Sequence, residues 1–249
     1  MVEIPKSHPR YLSLKTREKI KKAMKKGLVH ETGLIAHGRG EAFDYLIGEK
    51  TIPFAEEAEK VCAAALLIAK NPVISVNGNV VALAAKECIE LAEIVPAKLE
   101  VNLFHRTEKR IKLLILELKK HKAKKVYGAS ADARIINLEH SRGLCDKKGI
   151  YSADFVLVPL EDGDRCEALK AMGKFVIAID LNPLSRTAKY ANITIIDNVT
   201  RAIPNIIKWV KILKNEDIKN LEYMVKSWNN IKMLKEVSSF ISKRLNSLF

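Results

Sequence analysis

Hydrophobic and polar positions alternate with two different periods along this chain, and the change between them falls near residue 70. Before it, Ile20, Met24 and Leu28 recur at i, i+4, i+8, the spacing of one helix face. Ser13 is placed to cap that helix, which the spacing predicts to run to about Lys26, and Gly27 to stop it. Gly38-Arg39-Gly40-Glu41 is expected to open a short helix through Ala42, Phe43, Leu46 and Ile47, ended by Gly48. An alanine-rich helix follows from Pro53, a good first-turn residue, to Lys70, and Asn71-Pro72 terminates it.

Beyond residue 70 short apolar runs alternate with helical stretches. Strands are expected at Val73–Val76, Lys98–Val101, Val126-Tyr127, Phe155–Val158, Phe175–Ile179 and Ile193–Ile196. Helices are expected at Val80–Leu91, Glu108–His121 and Glu167–Met172. Apolar strands separated by helices imply right-handed βαβ units and a buried parallel sheet. The fold class is therefore α/β, a doubly wound parallel sheet with an N-terminal helical segment and C-terminal helices, Ala202–Leu213 and Ile218–Leu248. The chain divides into a helical segment (1–70), a nucleotide-binding core (71–215) and a C-terminal helix (216–249). Leu221, Met224, Trp228, Ile231, Leu234, Val237 and Ile241 give that last helix an apolar stripe, which suits either a homodimer surface or packing on its own subunit.

In open parallel sheets the ligand sits beyond the carboxyl ends of the strands, where helix amino termini converge. Three polar loops hold that position: Ser75-Val76-Asn77-Gly78-Asn79, Asp180 to Thr187, and Asp197-Asn198-Val199-Thr200-Arg201. Asp180 can accept from a ribose or cap the next helix, and Asn182, Ser185, Arg186 and Thr187 add amide, hydroxyl and guanidinium donors. Gly128 to Arg134 follows a strand in the same way, as a weaker signal. His37 and Arg39, flanked by glycines, are candidates for holding an anion at the expected helix start. Arg17, with lysines on either side, reads alone as a solvated residue. His105-Arg106, His140 and Arg142 could hold a second anion, and Glu161-Asp162-Gly163-Asp164 could hold magnesium or start a helix.

Composition narrows the function classes. No run of about 20 apolar residues is present to span a membrane, and the segment Met1–Lys6 carries no signal-peptide core, so a cytoplasmic protein is expected. The four cysteines, Cys62, Cys88, Cys145 and Cys166, are too scattered for a zinc site or a disulfide framework. The net charge of +14 invites a nucleic-acid-binding reading, but the lysines sit in amphipathic helices and few aromatics interleave them. Such charge equally attracts anionic small molecules. No strand leads into GxGxxG, which weakens a dehydrogenase or methyltransferase reading, and no Ser/His/Asp or Cys/His arrangement supports covalent catalysis.

The opening Ile4 to Tyr11, the run Gly33 to Gly48 and the three loops above together resemble the archaeal phosphopantothenate synthetase (4-phosphopantoate–β-alanine ligase) family, from the amino terminus to about residue 215. The resemblance implies a Rossmann-like core, a homodimer, and an AMP-forming ligase of coenzyme A biosynthesis. Such an enzyme joins 4-phosphopantoate to β-alanine through an acyl adenylate, using ATP and Mg2+. It further implies ATP contacts at Arg17, Arg39, Asp180, Leu181, Asn182, Arg186, Thr187, Asn198 and Val199. His37, Asn77 and Gly78 are the expected substrate-binding residues; no metal ligand and no general base is assigned.

Overall fold

The computed structural model describes residues 4–247. Three helices come first: α1 (Tyr11–Lys25), α2 (Glu31–Ile47) and α3 (Pro53–Ile68). Then follow β1 (Val73–Val76), α4 (Gly78–Ile94), β2 (Lys98–Val101), α5 (Glu108–Lys120) and β3 (Val126–Tyr127). A small antiparallel pair, β4 (Ala133–Arg134) and β5 (Leu144–Cys145), precedes β6 (Phe155–Pro159), α6 (Gly163–Ala171), β7 (Phe175–Ile179), α7 (Arg186–Tyr190) and β8 (Ile193–Ile195). The chain closes with α8 (Val199–Leu213), α9 (Ile218–Ser227) and α10 (Asn230–Asn246).

The six long-range strands pair in parallel in the order β3-β2-β1-β6-β7-β8. Counted within the sheet this is 3-2-1-4-5-6, the Rossmann order, whose direction reverses between β1 and β6. Strand residues alternate between two cores. Ile74, Val76, Leu157, Ile177 and Ile179 face the side covered by α1, α3, α4, α5 and α8. Val73, Val156, Val158, Val176 and Ala178 face the side covered by α6 and the segment around β4 and β5. Burial on both faces is why β6 and β7 read as unbroken apolar runs.

The third crossover carries no α-helix. Residues 128–154, between β3 and β6, form the β4–β5 pair and two single helical turns, and Glu100 and Asp146 hold them down. Buried Glu100 accepts the amides of Asp146 and Ile150 at 2.9 and 2.6 Å. Asp146 in turn accepts from Gly128 and Ala131 at 2.9 and 2.8 Å, so the Gly128 loop is fixed by the protein itself.

Several element limits differ from expectation for local reasons. α1 begins at Tyr11, so Ser13 lies in its first turn and donates to Glu41 instead of capping. α2 begins seven residues before the glycine pair because His30 caps it, its Nδ1 accepting from the Thr32 amide. Gly33, Gly38 and Gly40 are thus inside a helix. At Gly33 the reason is close packing: a Cβ there would meet Asn79 Oδ1 at 2.5 Å, and Asn79 donates to the Gly33 carbonyl at 2.9 Å. A 5-residue helix, α7, appears where none was expected, with Ser185 as its cap.

The helix expected over 218–248 is two helices, broken at Trp228-Asn229, where the Asn229 side chain caps α10; position 248 lies outside the described residues. Met233, Leu234 and Val237 pack against Ile47, Ile52, Ala55 and Ile196 of the same chain. The apolar stripe of α10 therefore has an intramolecular partner. Among the described residues no helix is long and apolar enough to cross a membrane.

Candidate functional site

One open cavity lies across the carboxyl ends of five strands, centred on the reversal between β1 and β6. Its floor comes from Leu103 to His105 after β2, Asn77 to Asn79 after β1, Leu160 to Asp162 after β6, Asp180 to Asn182 after β7, and Asn198-Val199 after β8. At ~4.8 Å between neighbouring strands, β2 to β8 spans roughly 19 Å. α2 forms the facing wall with Gly33, His37, Arg39, Gly40 and Glu41.

Each floor loop is built by side chains that satisfy its own backbone. Asn77 Oδ1 accepts from the Val80 amide at 3.1 Å, capping α4, while its Nδ2 donates to the Leu160 carbonyl at 3.0 Å and ties the β1 and β6 exits together. Gly78 is required next to it, because a Cβ would run into the Leu28 carbonyl. Asp180 accepts from the Asn182 amide at 2.9 Å and from the Ser185 hydroxyl at 2.5 Å. Burial raises the Asp180 carboxyl above its ordinary range, opposed by those two hydrogen bonds and by the charge of Arg39. Asn198, and not Thr200, caps α8: its Oδ1 accepts from the Thr200 amide at 3.1 Å while its Nδ2 donates to Asp44 at 3.1 Å. Arg201 bridges Asp44 of α2 and Asp197 at the β8 exit at 2.6 and 2.5 Å, which clamps wall to floor.

The charged side chains around the cavity fall into two sets. Arg142 donates to Glu161 at 2.5 Å and Asp162 at 2.7 Å, and fully buried Arg165 also pairs with Glu161. His140 pairs with Asp164 at 2.8 Å. Glu161 and Asp162 are thus occupied by arginines and Asp164 by a histidine, and among the described residues no three His, Cys, Asp or Glu side chains converge as a metal site. Arg39 and Arg110, by contrast, make no ion pair among the described residues. Among the described residues the Arg110 side chain donates only to the carbonyls of His105 and Leu28, at 2.5 and 3.0 Å. Beside it the His30 and His105 rings stack at 3.8 Å.

Of the twelve residues expected to contact ATP or substrate, His37, Arg39, Asn77, Gly78, Asp180, Leu181, Asn182, Asn198 and Val199 line this single cavity. Three others do not. Arg17 lies behind the α2 wall, its Nε donating to Glu41 at 2.8 Å. Thr187 is buried under the floor and donates to the Glu161 carbonyl at 2.9 Å. Arg186 points outward to Glu167 at 2.9 Å, with its side chain 65% exposed. The glycine pair Gly38 and Gly40 offers no helix amino terminus to an anion, since α2 already spans it; only the Arg39 side chain remains for that purpose. His30 and Arg110 were not singled out although they line the cavity. The β2 exit places Arg110 there, because it stands in the first turn of the helix that follows.

Comparison with known proteins gives a consistent result. The model of the family described as phosphopantothenate/pantothenate synthetase matches residues 54–244. The 4-phosphopantoate–β-alanine ligase of Thermococcus onnurineus is 55% identical over 249 residues, covering 100% of this chain and 95% of its own length. The ligase of the same name from Thermococcus kodakarensis is 54% identical over 249 residues, with the same shares covered. That of Methanosarcina mazei is 52% identical over 248 residues, covering 100% of this chain and 98% of its own. The similarity extends through α9 and α10, beyond the residues that carried the resemblance in the sequence. This chain belongs to the phosphopantothenate/pantothenate synthetase family.

Proposed function

We propose that this protein is an ATP-dependent, AMP-forming ligase that condenses 4-phosphopantoate with β-alanine to 4'-phosphopantothenate, in coenzyme A biosynthesis in the cytoplasm. The observation that carries the reading is the convergence of Arg39, Asp180 to Asn182 and Asn198-Val199, from α2 and two strand exits, on one cavity at the sheet reversal. The names of the relatives supply the substrates.

The chemistry suits these residue types. A carboxylate is a poor electrophile, so the acid oxygen first attacks the α-phosphate of ATP and diphosphate leaves. Negative charge develops at that phosphorus, where the unpaired Arg39 guanidinium and the donors of the β7 and β8 exits would stabilise it. Asp180 and Asn182 lie where a ribose hydroxyl would be held. Arg17 would act through Glu41, and Thr187 through the Glu161 backbone; a contact from Arg186 would require it to leave Glu167. At the far end, Arg110 beside His30 and His105 provides positive charge suited to the phosphate of the acid. His37, Asn77 and Gly78 lie between the two ends, near the reacting centre. Holding both anions in line removes much of the entropic barrier, up to about 7–11 kcal/mol.

The cavity carboxylates are engaged by Arg142, Arg165 and Ser185, so a magnesium ion carried by the triphosphate fits this donor set better than a resident ion. When bound it would neutralise phosphate charge. A homodimer, implied by the resemblance, completes the proposal and is checked by light scattering. The reading itself is tested by AMP release from purified protein. Release should require ATP, 4-phosphopantoate and β-alanine together, and AMP production indifferent to either acid or amine would overturn it.

A further inference from the structure

An ammonium group cannot attack an acyl carbon, because a proton occupies the lone pair. Amide formation from β-alanine therefore needs a group inside the cavity that takes this proton. The carboxylates on the cavity wall are committed elsewhere. Glu41 accepts from Arg10, Ser13 and Arg17. Glu161 and Asp162 are held by arginines, and Asp180 by the Asn182 amide and the Ser185 hydroxyl. Among the cavity histidines, His30 caps α2 and stacks on His105, and both stand beside Arg110, whose charge repels an ammonium.

His37 differs from all of these. It lines the cavity in the middle of α2, and its Nε2 is shut away from solvent with no hydrogen-bond partner among the described residues. A buried polar atom without a protein partner is one that a bound donor would satisfy. Facing it are Glu41 and Asp44 of its own helix and Arg17 of α1, with Arg201 of α8 paired to Asp44. Burial holds the imidazole below the ordinary histidine value, against the pull of Glu41, so at neutral pH the ring is neutral and has a lone pair to accept a proton.

We propose that His37 is the catalytic base of the amide-forming half-reaction, taking one proton from the β-alanine ammonium. This rests on the ligase reading above. The freed lone pair forms the C–N bond. The second nitrogen proton passes to solvent as the acyl C–O bond breaks, and AMP leaves with that electron pair. Glu41, one helical turn along, steadies the imidazolium until its proton returns to water.

The test separates the two half-reactions in His37→Gln, with His37→Asn as a second variant. Amide formation should fall by about 100- to 1,000-fold, in kcat more than in the KM for β-alanine, and the acid limb of the kcat–pH profile should vanish. Two activities should stay close to wild type: acid-dependent exchange of labelled diphosphate into ATP, and trapping of the adenylate by hydroxylamine, whose nitrogen is already unprotonated at neutral pH. Undiminished amide formation would overturn the assignment, as would equal loss of all three activities. Absence of acid-dependent exchange in the wild-type protein would sink the ligase reading, and this inference with it.

Discussion

Two sets of arginines stand around the same cavity and differ in what surrounds them. Behind β6, Arg142 and Arg165 are buried against Glu161 and Asp162, every charge answered by another. Across the cavity, Arg39 and Arg110 face the open space with no carboxylate partner among the described residues. The first set is architecture: it locks the 128–154 crossover and the β6 exit, and leaves no charge for a ligand. The second is an uncompensated cationic wall, which a protein retains when something anionic is to supply the missing charge. Residue type alone does not separate the two; the partners do.

That contrast breaks most visibly at Glu161. Glu161→Ala leaves Arg142 and Arg165 buried with their shared partner gone, and should cost about 3–5 kcal/mol in urea unfolding. A loss of the size seen for a surface ion pair would mean that water reaches the network. Arg39→Ala should do the reverse. Its stability should stay within about 0.5 kcal/mol of wild type, while kcat/KM for ATP falls by roughly 10- to 100-fold, the equivalent of one hydrogen bond to a charged group. An active, folded Arg39→Ala protein with an unchanged rate would remove Arg39 from the reaction.

Glu59 sharpens the comparison from a third side, as a fully buried acid without a bonded partner among the described residues. Burial, followed by the nearby Asp197 charge, pushes its carboxyl up to about 9. A raised carboxyl binds its proton more tightly in the folded state. Its contribution is complete below the unfolded value near 4.5 and is lost as pH rises toward 9, with a slope of at most ~1.4 kcal/mol per pH unit for one proton. Glu59→Gln should therefore match wild type near pH 5 and exceed it increasingly above pH 7. Parallel thermal-unfolding curves across that range would show that the acid is ionised and compensated. The smallest effect is expected at Arg186. Its exposed pair with Glu167 is worth under about 1 kcal/mol, so Arg186→Ala should leave stability nearly unchanged. ATP affinity in that variant decides whether the side chain swings into the cavity.

Much of this was legible along the chain, and what escaped has identifiable causes. Phe155–Val158 and Phe175–Ile179 are readable because a strand buried on both faces is apolar at every position. α2 misled because glycine lowers helix propensity locally, whereas Gly33 is held in a helix by Asn79 and by the His30 cap. The hydrogen bonds that turn 128–154 into a clamped loop come from Glu100, 46 and 50 positions from its partners, and from Asp146 within the loop, 15 and 18 positions from its own, and no local window contains them.

By itself the sequence determined the alternation of strands and helices, and with it the parallel sheet and the polar exits where a ligand would sit, because period and turn chemistry are local properties of a chain. Only the tertiary structure decided which of those exits share a cavity and which arginines keep an unanswered charge. Strand order sets that neighbourhood, and it joins residues such as Asp44 and Arg201, 157 positions apart.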